Sequence, residues 1–151
     1  MKPRVLIDTN LLMLLVVGYY DKGFIPQHKR TNKFTAEDFE ILEILIEGST
    51  LVSTPSIFTE VSNLLWQCSE PHASKIRSVF TEVISVCDEI SLRSAEVVVS
   101  QEFMKLGLTD AGILELKKDS GSILTQDLDL HLAAHARGIA TENFTHFRNL
   151  A

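Results

Sequence analysis

The chain lacks most of the features that would settle its class at a glance. Its 151 residues include only two cysteines, Cys68 and Cys87. They form no C-x-x-C pair and are too few for a disulfide framework in a chain of this length, so a reduced, cytoplasmic setting is expected. Long apolar runs are missing. The nearest to one, Leu11 to Val17, falls far short of the roughly 20 residues that span a bilayer. It follows Asp8, Thr9 and Asn10 and lacks the small-residue cleavage pattern of a signal peptide, so no membrane partner is expected. Positive charge is scarce, with 14 Lys and Arg against 20 Asp and Glu and a net charge of -6. That excludes a strong non-specific grip on nucleic acid, which needs clustered cations. Nucleic-acid chemistry at an acidic metal centre stays open, because such a centre itself lowers the net charge. No internal repeat or low-complexity tract interrupts the chain.

What is present is globular. The composition is 45% hydrophobic and 23% charged, and residues 1–151 read as one domain burying roughly 70% of the surface its unfolded chain exposes. Val5-Leu6-Ile7 is too short for a helix and suits a buried parallel strand. It runs into Asp8-Thr9-Asn10, at the strand end where open α/β sheets bind ligands. A nearly all-apolar helix follows, capped by Thr9 or Asn10, reaching about Val17 and ended by Gly18. The stretch from Tyr19 to Lys33, a long loop over about 19–34, shows no steady period and reads as exposed; it holds the densest basic cluster, Lys29, Arg30 and Lys33 with His28. Thr35 opens a capping pattern for a helix closed by Gly48. Leu51–Ser53 reads as a strand, and Thr54-Pro55 starts a helix to about Trp66 with Glu60 near the edge of its apolar face.

After Pro71, residues 72–86 form an amphipathic helix, and Asp88–Ser91 a turn or short strand. Ser94 to Met104 reads as helix, although Val97-Val98-Val99 would equally suit a strand. Thr109 is expected to cap a helix to Lys118 with Asp110 in its first turn, where the dipole favours an anion. Gly121 turns the chain into a strand over Ser122–Thr125, and Gln126-Asp127-Leu128-Asp129 begins a helix to about Arg137, closed by Gly138. Ile139–Thr141 reads as the last strand, and Asn143 to Leu150 as a turn and helical tail. Strands alternating with helices predict an α/β fold, a three-layer α/β/α sandwich around a mainly parallel sheet of four to five short strands.

The sharper signal is acidic. Asp8 ends a strand, Asp127 lies two residues past another, Asp110 sits in a helix's first turn, and Glu60 lies on a helix that follows a strand. Parallel crossovers can bring all four to one sheet edge, where mutual repulsion calls for a hard cation. An all-oxygen donor set suits Mg²⁺ or Mn²⁺ and argues against zinc. Asp129 reads either as a fifth acidic ligand or as a solvent-facing residue, and Asn63, one turn beyond Glu60, as a polar face more readily than a site residue. Cys68, Cys87 and Trp66 read as packing residues. His131 and His135, four apart on one helix, lack a third ligand nearby and read as surface or packing residues.

Val5-Leu6-Ile7-Asp8-Thr9-Asn10, Thr59-Glu60-Val61, Leu108-Thr109-Asp110-Ala111 and Leu124-Thr125-Gln126-Asp127, in that order, make the sequence resemble PIN-domain proteins. This is a family of small metal-dependent ribonucleases that includes the toxins of many bacterial and archaeal toxin–antitoxin modules. The resemblance implies that Asp8, Glu60, Asp110 and Asp127 form the acidic catalytic centre, with Asp8, Asp110 and Asp127 on Mg²⁺ or Mn²⁺. Glu60 would bind metal through water or act as general base, and Asn10 and Thr125 would orient the centre. It further implies an RNA substrate, a homodimer and a cognate antitoxin, although the long 19–34 loop departs from the compact toxins. That loop's Lys29, Arg30 and Lys33 read as RNA contacts, a solvated loop or part of an oligomer interface. The alternatives are a catalytically inactive PIN-fold module that binds RNA or protein, and a phosphatase working through an aspartyl-phosphate. The latter usually needs a second acid where this chain has Asn10.

Overall fold

Val5, Leu6 and Ile7 are buried in the middle of a sheet, as a short aliphatic run predicts. The computed structural model describes residues 2–148. Strand β1 (Arg4–Ile7) lies between β2 (Thr50–Ser53) and β4 (Ser122–Thr125), with β3 (Asp88–Glu89) and β5 (Thr141–Asn143) at the edges. The order is β3-β2-β1-β4-β5 and every pairing is parallel. Val5 pairs with Leu51 on one side and Ser122 on the other. The chain leaves β1 toward β2 and returns on the opposite side at β4. The β1/β4 crevice is therefore the switch point where connections part and a ligand can enter.

Parallel neighbours require crossovers, and helices supply them. Helices α1 (Thr9–Tyr20) and α2 (Ala36–Ile46) join β1 to β2, and α3 (Pro55–Leu65) and α4 (His72–Val86) join β2 to β3. Helices α5 (Ser94–Val97) and α6 (Phe103–Glu115) lead to β4, α7 (Leu128–Ala136) leads to β5, and α8 (Phe144–Arg148) follows. Helix α1 packs on α2, α3 and α4, while α6 packs on α5 and α7, giving the three-layer α/β/α sandwich. All residues of α1 from Leu11 to Gly18 are buried. An apolar helix with no polar face can sit only at the centre of such a layer.

Several boundaries differ from the sequence expectation, each for a physical reason. Gly18 does not end α1, which continues to Tyr20. A Cβ at Gly18 would collide with the Phe39 ring, so this glycine serves the close approach of α2 and not termination. The stretch from Tyr19 to Lys33 is not an exposed loop. After a 3₁₀ turn over Lys22–Phe24 it winds through successive turns, with His28 N–H on the Phe24 carbonyl (3.0 Å), Thr31 N–H on His28 (3.1 Å) and Phe34 N–H on Thr31 (2.9 Å). Phe24, Ile25, His28, Thr31 and Phe34 are buried beneath it, a spacing of three to four residues that the intervening charges obscure. Burial lowers the pKa of His28, and its Nδ1 accepts the Arg30 N–H at 3.0 Å.

The expected helix over Ser94 to Met104 breaks after Val97 and resumes at Phe103, as three consecutive β-branched residues favour. The strand expected at Ile139–Thr141 lies instead at Thr141–Asn143. Gly138 takes φ 74°, and the Ile139 N–H closes back on the Ala134 carbonyl at 3.0 Å, so residue 139 is still committed to ending α7. Trp66 is not a packing residue: it is half exposed, with the Arg77 guanidinium 3.8 Å from its ring centroid. Asn149 and Leu150 of the expected tail lie outside the described residues.

Gly121, at φ 70°, precedes β4 where a Cβ would strike the Arg4 backbone carbonyl. Strand and turn both oppose a side chain here, so Gly121→Ala is expected to cost about 3 kcal/mol, read by urea denaturation. An unchanged midpoint would show that β1 and the turn before β4 can move apart freely.

Candidate metal centre

Asp8 is the first residue beyond β1 and the N-cap of α1. Its Oδ1 accepts the Leu11 N–H at 3.0 Å, and its Oδ2 accepts the Gln126 N–H at 3.1 Å and the Thr125 hydroxyl. One carboxylate thus ties the start of α1 to the exit of β4. Thr125 extends the tie, since its Oγ1 accepts the Asp127 N–H at 2.9 Å. Asp127 caps α7, its Oδ1 accepting the N–H groups of Asp129 (2.9 Å) and Leu130 (3.2 Å). Asp8 is 4% exposed. Burial pushes its pKa up against the pull of three donors, and the Asp127 carboxylate adds to the rise.

Asp110 reaches the same crevice from α6. Gly107, at φ 84° and ψ 176°, interrupts that helix, so Asp110 stands in the first turn after the break. The pKa of its carboxyl is pushed up to about 7, first by burial and then by the carboxylates of Asp127, Asp8 and Glu60. Every contribution raises it. Among the described residues no cation offsets the three acids and no hydrogen bond reaches the Asp110 side chain. Glu60 is exposed on α3, with the Thr9 hydroxyl donating to Oε1 at 3.4 Å and the Thr109 hydroxyl to Oε2. Thr9 adjoins Asp8 and Thr109 adjoins Asp110, so the threonines hold Glu60 between the other two acids.

Asp8, Glu60, Asp110 and Asp127 are therefore brought together, with Thr125 linking two of them. Asp129 is not part of this group: it is exposed, its Oδ1 lies 3.8 Å from Lys105 Nζ, and it does not contribute to the Asp110 shift. Asn63 is exposed on α3 and makes no side-chain hydrogen bond among the described residues. Asn10 is exposed, makes no side-chain hydrogen bond among the described residues, and lines a recess of about 290 Å³ that Lys29, Arg30, Lys33 and Gln126 also line. His131 Nδ1 lies 3.0 Å from the Thr141 hydroxyl, outside the centre.

Three contributors escape a reading of the sequence. Thr109 is not a cap but a donor to Glu60, Thr9 does the same from the far side, and Gln126 supplies its backbone N–H to Asp8. The available signal was adjacency, since each is the chain neighbour of a site acid.

A divalent cation fits this donor set. The groups are all oxygen, three acids press on Asp110 without compensation, and a hard cation relieves the charge that burial penalises. Among the described residues no three acidic, histidine or cysteine side chains already converge at ligand distance, so the fit rests on charge and donor type. No family model matches the chain, and a search of curated proteins returns no match.

Proposed function

We propose that the chain is a PIN-type, Mg²⁺- or Mn²⁺-dependent endoribonuclease. The observation that carries the reading is that Asp8 and Asp127, at the exits of β1 and β4, lie near enough to Asp110 and Glu60 for burial and mutual repulsion to drive Asp110 up to about 7. Asp8, Asp110 and Asp127 would hold the ion. When bound, it would lower the pKa of a coordinated water and offset charge on the phosphoryl oxygens.

The chain's own residues do the rest. Thr125 and the Gln126 N–H fix the Asp8 carboxylate, and the N-terminus of α7 fixes Asp127, so neither side chain has to reorganise. Glu60, exposed and held on both oxygens by threonine hydroxyls, would accept a proton from the attacking water. Water oxygen bonds to phosphorus as the phosphorus bond to one ribose oxygen breaks. One fragment leaves with a hydroxyl and the other with a terminal phosphate.

The test is cleavage of a labelled single-stranded RNA by the purified chain. Cleavage is expected with added Mg²⁺ or Mn²⁺ and none with chelator. A protein that leaves several unrelated RNAs intact at all metal concentrations would overturn the reading. The position of the cut then reports which ribose oxygen leaves.

A further inference from the structure

The segment between α1 and α2 was expected to be a loop, and it is a folded wing. Its underside is anchored by Phe24, Ile25, His28, Thr31 and Phe34, all buried, and by the Thr31 hydroxyl on the Ile25 carbonyl at 2.7 Å. Its upper edge carries Lys29, Arg30, Asn32 and Lys33, all exposed. Arg30 is further held by Nε donating to Gln67 at 2.6 Å, which leaves its terminal nitrogens free of protein partners among the described residues. In an acidic protein this fixed group of three cations is the exception.

The wing's cations line a recess of about 290 Å³, and Asn10 and Gln126 form another part of its wall, with Leu64 beside them. That wall belongs to the carboxylate centre: Asn10 is two residues from Asp8, and the Gln126 N–H is bonded to Asp8. A ligand in the recess therefore lies beside the acids without touching them. The lining combines cations for a phosphate, the exposed amides of Asn10 and Asn32 for a base edge and the half-buried Leu64 as an apolar side. The volume accommodates a single nucleotide, and no duplex enters a space of that size.

We infer that the wing and the Asn10–Gln126 wall form a subsite for the nucleotide that flanks the cleaved phosphate in a single-stranded RNA. This rests on the ribonuclease reading and adds to it the residues that grip the strand beside the cut. Lys29 and Lys33 carry the phosphate contact, and the wing's buried base holds them in place before RNA arrives.

The test compares the wild-type chain with Lys29→Ala/Lys33→Ala. Lys118→Ala, at the end of the sheet opposite the acids, is the control. Equilibrium binding of a fluorescent single-stranded RNA, with chelator present, is measured as a function of salt. The double variant is expected to bind about tenfold or more weakly, with the slope of log K against log salt shallower by about 1.4, two contacts at 0.7 each. In the cleavage reaction the loss is expected in KM more than in kcat, and Lys29→Arg/Lys33→Arg should restore both readouts. The same RNA annealed to its complement should bind no better than it does to the double variant. Cleavage by wild type with slope and KM unchanged in the double variant would overturn the subsite and leave the metal-dependent reading standing. Salt-sensitive binding that depends on the two lysines, without cleavage under any metal, would do the reverse. Equal affinity for duplex would overturn the single-strand assignment.

Discussion

Asp110→Asn is expected to make the metal-free protein more stable and to abolish cleavage. Its carboxyl is pushed up to about 7 by burial and by the carboxylates of Asp127, Asp8 and Glu60. No hydrogen bond among the described residues would be lost with the charge. The full displacement corresponds to about 4 kcal/mol at 1.36 kcal/mol per unit. Asp110 is partly solvated, so about 2 kcal/mol is a better expectation for the gain at pH 8. The sign with pH follows. The unfolded carboxyl titrates near 3.8 and the folded one near 7. Between those values the folded chain holds a proton that the unfolded chain has released, so stability falls as pH rises through that window and is level above it. The asparagine variant should lose Asp110's share of that slope and keep the share of Asp8, whose pKa burial also raises. Mg²⁺ or Mn²⁺ should raise the melting temperature of wild type at pH 8 and leave the variant nearly unmoved, while cleavage drops more than about a hundredfold. A variant less stable than wild type without metal would show that Asp110 is a structural residue.

Asp8→Ala is expected to remove the activity as well, with the opposite effect on stability. Burial also raises the pKa of Asp8, but this carboxyl accepts from Leu11 N–H, Gln126 N–H and the Thr125 hydroxyl. A neutral acid can keep much of that network, whereas alanine strands the buried Leu11 N–H and the part-buried Gln126 N–H and removes the cap of α1. Relief of the buried charge offsets part of the loss. The expected cost is about 3 kcal/mol by urea denaturation, with Asp8→Asn intermediate because its one remaining carbonyl oxygen still accepts from Leu11. Two acids of one site would thus move stability in opposite directions. Equal stabilisation by both substitutions would refute the clamp assigned to Asp8.

The contrast shows where sequence reasoning reached its limit. Asp8 and Asp110 look alike as letters, each an acid at the start of a helix, and both were read as site residues from their order along the chain. Their energetic difference depends on what stands opposite: Thr125 and Gln126 donate to Asp8 across the β1/β4 crevice, while among the described residues the charges acting on Asp110 are all acids. The wing shows the same limit from another side. Residues 24, 28, 31 and 34 carry its anchors at helical spacing, yet Pro26, Gly23 and the basic residues among them hide the pattern, and only burial in the core, with Phe34 against Phe144, reveals that the charges sit on a fixed scaffold.

Local chemistry by itself determined strands β1, β2 and β4, the cap at Thr35, the helix start at Thr54-Pro55, and the turns at Gly48 and Gly121. Each follows from a few adjacent residues and the conformations they allow. The acidic set was also legible, because parallel crossovers return every strand's carboxyl end to the same edge. Tertiary structure alone decided which neighbours complete that set. Thr9 and Thr109 meet Glu60 across gaps of 51 and 49 residues, Thr125 meets Asp8 across 117, and the basic wing lands beside Asn10 and Gln126. Contacts at such separations depend on how layers pack, and no local preference encodes them.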